Sequence, residues 1–150
     1  MTTLKTGDKA PGFSGIDQNG NTVNLSDFKG KKVVLFFYPK ASTPGCTAEA
    51  CDLQDNIDRF IKANYQVIGV SADSQKRQLN FAKKNNLEYP LLADEEKVII
   101  NDYGVWGPKK FMGREYDGIH RTTFVINEEG VIVDIITKVK TKEHSDQILK

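Results

Sequence analysis

The six residues Val33-Val34-Leu35-Phe36-Phe37-Tyr38 are apolar without interruption. A strand with one face in water alternates apolar and polar residues. A continuous run is the pattern of a strand covered on both faces, as in parallel sheets. Gln66-Val67-Ile68-Gly69-Val70-Ser71 reads as a second strand of this kind. Between the two, Ala50, Leu53, Ile57, Phe60 and Ile61 fall on one helical stripe, with Asp52, Asp55, Asp58, Arg59 and Lys62 outside it. That spacing predicts one helix from about Thr47 to Lys62. Strand, helix and strand in this order place the chain in the α/β class.

The rest of the chain extends the pattern. Residues 1–12 read as an extended lead-in. Phe13–Asp17 and Thr22–Leu25 flank Gln18-Asn19-Gly20-Asn21, and Asn-Gly between two short runs predicts an N-terminal β-hairpin. Leu25 to Gly30 reads as a single helical turn closed by glycine. Asp73 or Ser74 can cap a helix running to about Asn85 that buries Leu79 and Ala82. Tyr89–Leu92 is a short strand, and Glu95–Tyr103 a short helix burying Val98, Ile99 and Tyr103. Residues 104–120 carry Gly104, Gly107, Pro108, Gly113 and Gly118 and read as a long loop, a feature more often functional than idle. Thr122–Ile126 and Val131–Ile136, joined by Asn127-Glu128-Glu129-Gly130, form a second hairpin, and a partial helix closes the chain from Lys142. The expected architecture is a central mixed sheet flanked by helices in a single domain, residues 1–150.

Composition removes several functions from consideration. The chain has 21 basic and 20 acidic residues, interspersed, for a net charge of +1. No basic patch points to nucleic acid. The longest apolar run falls far short of the roughly 20 residues a membrane helix needs. Met1–Thr6 has no apolar core of a signal peptide, so a cytoplasmic location is expected. Two cysteines in such a chain are poor candidates for a structural staple. A bridge closing so small a loop would contribute only about 2 kcal/mol.

Both cysteines lie in Pro39-Lys40-Ala41-Ser42-Thr43-Pro44-Gly45-Cys46-Thr47-Ala48-Glu49-Ala50-Cys51, directly after the first buried strand. A loop passing from a strand end into a helix start is where α/β proteins place reactive groups. Cys46 falls in the first turn of the expected helix, among unpaired N–H groups and the positive end of the helix dipole. Such surroundings favour a thiolate, the nucleophilic form of cysteine. The shift in thiolate fraction is worth only about 2 kcal/mol, so most of any acceleration must come from donors aimed at developing charge. The Thr43 hydroxyl, the N–H groups of Gly45 and Cys46, and a cation from elsewhere are the candidates.

Pro39, Thr43 and Cys46 match the Pro-x-x-x-Thr-x-x-Cys signature of the peroxiredoxins, and Thr43-Pro44-Gly45-Cys46-Thr47 with Cys51 resembles their bacterioferritin comigratory protein (PrxQ) branch. The resemblance continues through Phe37–Lys40, Tyr103–Gly107 with Met112-Gly113, and Tyr116–Arg121. It implies a thioredoxin fold and thiol-dependent reduction of hydrogen peroxide and organic hydroperoxides. Cys46 becomes the peroxidatic cysteine and Cys51 the resolving one. Thr43 and Arg121 become donors to the peroxide, Pro39 a shield over the thiolate, and Glu49 a residue that orients the arginine. The disulfide would be reduced by thioredoxin or a similar dithiol protein. A monomer with no cofactor and no metal is expected. Arg121 also stands just before the strand Thr122–Ile126, so it can reach the sheet end that holds the 39–46 loop.

The spacing of the cysteines adds a constraint. Five residues of α-helix rise about 7.5 Å and turn the second side chain about 140° from the first. A disulfide needs Cα atoms about 4.4–6.8 Å apart. A Cys46–Cys51 bridge therefore requires the helix to unwind over roughly 44–52. Two rival functions stand beside the peroxidase. A thioredoxin-like disulfide reductase would use Cys-x-x-Cys, but Thr43 occupies the first position, and residues 114–126 lack the proline such proteins carry beside the site. A non-catalytic redox sensor would use Cys46 only to signal. His120 and His144 have no spacing that suits zinc with the cysteines. Trp106, Phe111 and Met112 either line the site or form an exposed patch.

Overall fold

The structure, a computed structural model, describes residues 2–150. β1 (Ser14–Ile16) and β2 (Thr22–Asn24) form the expected antiparallel hairpin. Its turn runs from Asp17 to Asn21. Asp17 Oδ1 accepts from the N–H groups of Asn19 and Asn21 at 2.9 and 3.0 Å, and Gly20 takes the positive φ of 84°. A 3-10 turn, Leu25–Phe28, follows.

β3 (Lys32–Phe37) is central. It pairs in parallel with β4 (Tyr65–Ser71), which pairs in parallel with β5 (Leu91–Ala93). On its other side β3 pairs antiparallel with β8 (Thr122–Ile126), which pairs with β9 (Ile132–Ile136). The five-stranded order is β5-β4-β3-β8-β9, the mixed sheet that the sequence predicts. Side chains alternate across a strand, and the apolar run of β3 serves both faces. Val33, Leu35 and Phe37 join Tyr103, Phe124 and Ile99 on one side. Val34, Phe36 and Tyr38 join Leu53, Phe60, Phe81 and Cys46 on the other. The sulfur of Cys46 therefore belongs to a packed core.

The helix expected over 47–62 differs in two ways. α1 (Pro44–Asp55) begins earlier, because Pro44 can occupy the first helical position without losing a hydrogen bond. It also stops at Asn56, whose backbone leaves the helical region and whose Nδ2 donates to Asp52 O at 2.8 Å. α2 (Ile57–Lys62) starts anew, and the break turns Ile61 outward while Phe60 stays buried. α3 (Gln75–Asn85) is capped by Ser74, whose Oγ accepts from Arg77 N at 3.2 Å. It buries Gln78, Phe81 and Ala82, with Leu79 only half-buried. α4 (Val98–Asp102) is shorter than expected. Asp94 accepts the N–H groups of Val98 and Ile100 and fixes the start, so Ile99 and Ile100 turn inward and Val98 outward.

The largest difference lies in the expected 104–120 loop. β6 (Trp106–Phe111) and β7 (Arg114–Ile119) form an antiparallel hairpin. Met112 and Gly113 make its two-residue turn with φ of 51° and 78°, the positive values a tight hairpin requires. Its strands are polar and mostly exposed, so they lack the alternation that reveals a half-buried strand. The closing helix, α5 (His144–Leu149), packs on α1. No helix among the described residues is long and apolar enough to cross a membrane.

Candidate active site

Thr43 is the N-cap of α1, which makes Pro44, Gly45 and Cys46 its first three residues. Thr47 N bonds Thr43 O at 2.8 Å, leaving the earlier N–H groups without helical partners. The 39–43 loop is tied down by the buried Asp73, whose Oδ2 accepts from Ala41 N and from the Ser71 hydroxyl, each at 2.7 Å. Thr43 Oγ1 donates to Lys40 O at 2.7 Å. Its single proton is thus committed, and the oxygen is left to accept a proton from a bound ligand.

Cys46 is only 1% exposed. Arg121 reaches it from the link between β7 and β8, with Nη2 3.3 Å from Sγ. The other prong, Nη1, donates to Glu49 Oε1 at 2.6 Å. Cys46 and Glu49 share a helix face because three residues separate them, and one planar guanidinium spans both. A Cβ at position 45 would stand 3.3 Å from Nη2, so glycine leaves this approach open. Burial works against the arginine's charge, but the Cys46 sulfur and the Glu49 carboxylate outweigh it and raise its pKa.

Burial pushes Glu49 up to about 7, although Arg121 draws it down. His144 is also fully buried, with Nε2 3.5 Å from Glu49 Oε2 and 2.7 Å from Thr123 Oγ1. Burial lowers its pKa, and Arg121 adds to that. No sequence signal marked His144 as a neighbour of the site, since it comes from the far end of the chain. His120, by contrast, faces Pro108 O at 3.0 Å.

Pro39 follows the β3 strand end and borders a cleft of about 410 Å³ shared with Asp73, Trp106, Lys109, Tyr116 and Ile119. The β6–β7 hairpin therefore forms a wall beside the loop. Lys109 Nζ donates to Ile119 O at 2.9 Å, and burial together with Arg121 lowers its pKa. Of the three aromatic and sulfur residues singled out in the sequence, Trp106 lines this cleft. Phe111 and Met112 stand out at the hairpin tip, 64% and 86% exposed.

Cys51 lies on the same unbroken helix as Cys46, and both are free thiols. Its S–H points to Asn85 Oδ1 on α3 at 3.6 Å. Burial and then Asp55 raise its pKa. The helical geometry keeps the two sulfurs on different faces.

A thiol held at a helix N-terminus by a guanidinium is suited to attack on a weak O–O bond. A model of the AhpC/TSA family matches residues 6–135. The chain belongs to the AhpC/TSA family. Within this AhpC/TSA group it is similar to the peroxiredoxin Bcp of Escherichia coli (strain K12), 48% identical over 149 residues, 99% of this chain and 96% of that protein. The peroxiredoxin Bcp of Bacillus subtilis (strain 168) is 45% identical over 148 residues, covering 99% and 94%. Among solved structures, the bacterioferritin comigratory protein of Xanthomonas campestris, studied for its alkyl peroxide reduction activity, superposes with a TM-score of 0.86 at 32% identity. That match covers 99% of this chain and 95% of that one. The AhpC/TSA chain described here is thus a peroxiredoxin of the Bcp/PrxQ branch with a thioredoxin fold, a thiol-dependent peroxidase.

Proposed function

We propose that Cys46 is the peroxidatic nucleophile, that Cys51 resolves it through an intramolecular disulfide, and that thioredoxin or a similar dithiol protein recycles the enzyme. The observation that carries this reading is the 3.3 Å contact between Arg121 Nη2 and Cys46 Sγ. The thiolate attacks the terminal peroxide oxygen, and the O–O bond breaks as the S–O bond forms. The distal oxygen leaves with a proton as water or alcohol. Cys46 is oxidised by two electrons to the sulfenic acid, and the peroxide is reduced by two. Arg121 donates to the oxygens that gain charge, and Thr43 Oγ1 accepts a hydrogen bond from the peroxide O–H, whose proton passes to the leaving oxygen while the sulfenate takes up a proton from solvent. Gly45 and Cys46 offer N–H groups, Glu49 orients the arginine, and Pro39 covers the thiolate from bulk water. Alkyl peroxide reduction by the Xanthomonas campestris relative supports organic hydroperoxides as substrates beside hydrogen peroxide.

In the second stage the Cys51 thiol attacks the sulfenic sulfur, forming the S–S bond and expelling water. Unwinding of α1 brings the sulfurs together and removes Cys51 from the burial and the Asp55 carboxylate that hold its proton. Residues 1–150 then work as one domain, acting as a cytoplasmic monomer with no cofactor or metal. Steady-state peroxide consumption coupled to a thioredoxin system tests the assignment. Cys46→Ser abolishes consumption. Cys51→Ser retains one turnover per chain and loses recycling by thioredoxin. Full coupled turnover in Cys51→Ser would remove the resolving role.

A further inference from the structure

Glu49 Oε2 is a buried carboxylate oxygen with no hydrogen-bond partner among the described residues. An unpaired polar atom in the interior costs free energy, more when it carries charge. The atom facing it is His144 Nε2, 3.5 Å away, and the neighbours of this histidine decide where its protons sit. Gln147 Oε1 accepts from Lys140 N at 2.9 Å while Gln147 Nε2 donates to Lys138 O at 3.0 Å. The amide is therefore fixed with its oxygen toward His144 Nδ1, 2.8 Å away. An oxygen acceptor there requires a proton on Nδ1. Only Nε2 is left to titrate, between Thr123 Oγ1 and Glu49 Oε2. With Nε2 bare it can accept from the Thr123 hydroxyl, and an ionised Glu49 then leaves Oε2 as a buried oxygen with no donor. One proton on the pair removes that uncompensated charge or balances it from 3.5 Å away.

We propose that Glu49 and His144 hold a single proton between them, on Oε2 or on Nε2, and that His144 is a positioning residue for the peroxidase reaction. Held this way, the pair is neutral overall, and Glu49 does not draw the guanidinium of Arg121 away from the Cys46 sulfur. The proposal rests on the reading of Cys46 as nucleophile. The groups around the pair are Asp52 from α1, Arg121 from the β7–β8 link, Thr123 from β8, Gln147 from α5, and the uncharged Tyr89 before β5. Burial raises Glu49 and lowers His144, which brings their proton affinities together. Asp52 raises both, and Arg121 lowers both. Below the midpoint of this titration the pair keeps its proton. Above it the pair carries one negative charge directly behind Arg121 and competes with the thiolate for it.

The experiment uses the reduced full-length chain. Ring-nitrogen NMR of His144 is followed from about pH 5 to 9, alongside the alkylation rate of Cys46 by iodoacetamide. Wild type should show two ionisations in the alkylation profile, the second with the midpoint of the His144 Nε2 titration. Glu49→Gln keeps the side-chain shape and should erase the second ionisation. His144→Asn should displace it, whereas a merely structural loss would scale the rate equally at every pH. A single ionisation in wild type, or a second one that survives Glu49→Gln unchanged, overturns the shared proton. If His144→Asn does not fold, the Glu49→Gln comparison still decides. Failure of the nucleophile reading shows separately, as peroxide consumption that persists in Cys46→Ser.

Discussion

At the scale of single residues, Arg121 does two things that no other cation among the described residues does at once. Its fork spans Cys46 Sγ and Glu49 Oε1, and it places fixed charge beside the sulfur proposed to attack the peroxide. Lysine keeps the charge but has no second prong and no planar geometry. Arg121→Lys should therefore lower the second-order rate constant with hydrogen peroxide by about 10²–10³, the usual loss of one oriented donor. Stopped-flow consumption assays read this directly, and a change below threefold would deny Arg121 its role. Cys46, Thr43, Glu49 and Arg121 were legible because a local motif and one strand start place them. Thr43 differs in its detail. The hydroxyl expected to donate gives its proton to Lys40 O, and nothing in the sequence discloses that choice. His144 was not legible, because only the packing of α5 on α1 brings it to Glu49.

At the scale of elements, α1 was read correctly as the helix carrying both cysteines, but its ends were not. The helix starts at Pro44, and the stripe that continues in sequence to Ile61 is interrupted where the Asn56 side chain bonds back to Asp52 O. Periodicity alone does not show such a break, since both pieces keep apolar residues in step. The β6–β7 hairpin escaped for a related reason: two exposed polar strands leave no pattern to count. α1 is also joined to α5 by more than contact. Ser145 N donates to Asp52 Oδ2 at 2.7 Å, and Ser145 Oγ to Asp52 O at 3.1 Å. If Cys46 and Cys51 form the proposed disulfide, the turns around 44–52 must unwind, and those anchors go with them. Hydrogen exchange should therefore quicken in 44–52 and in α5 when the protein is oxidised. Equal protection in the reduced and oxidised forms would contradict the unwinding.

Across the whole molecule, one strand organises two cores. β3 alternates its side chains into both, and a mixed sheet with a parallel centre was legible from the sequence because buried parallel strands are continuous apolar runs; the strand order was not. Phe124 sits on the face away from Cys46, ringed by Phe37 and Tyr103 at centroid distances of 5.8 and 5.0 Å. Phe124→Ala should cost about 3–5 kcal/mol of stability. For a chain of this size that lowers the melting temperature by about 10 °C. Calorimetry checks the shift. Peroxide consumption well below the new transition should stay close to wild type, because the cavity opens on the other side of the sheet.

The unbroken helix between Cys46 and Cys51 also sets a clock. On the roles proposed for the two cysteines, a sulfenic acid at Cys46 faces two competing reactions: closure by Cys51, which waits for the helix to open, and attack on a second peroxide, which does not wait. The second path leads to sulfinic acid, from which thiols provide no return. On those roles the stability of the helix over 44–52 sets the peroxide concentration at which the enzyme is inactivated by its own substrate. A firmer helix would give a better-formed site and a shorter working life.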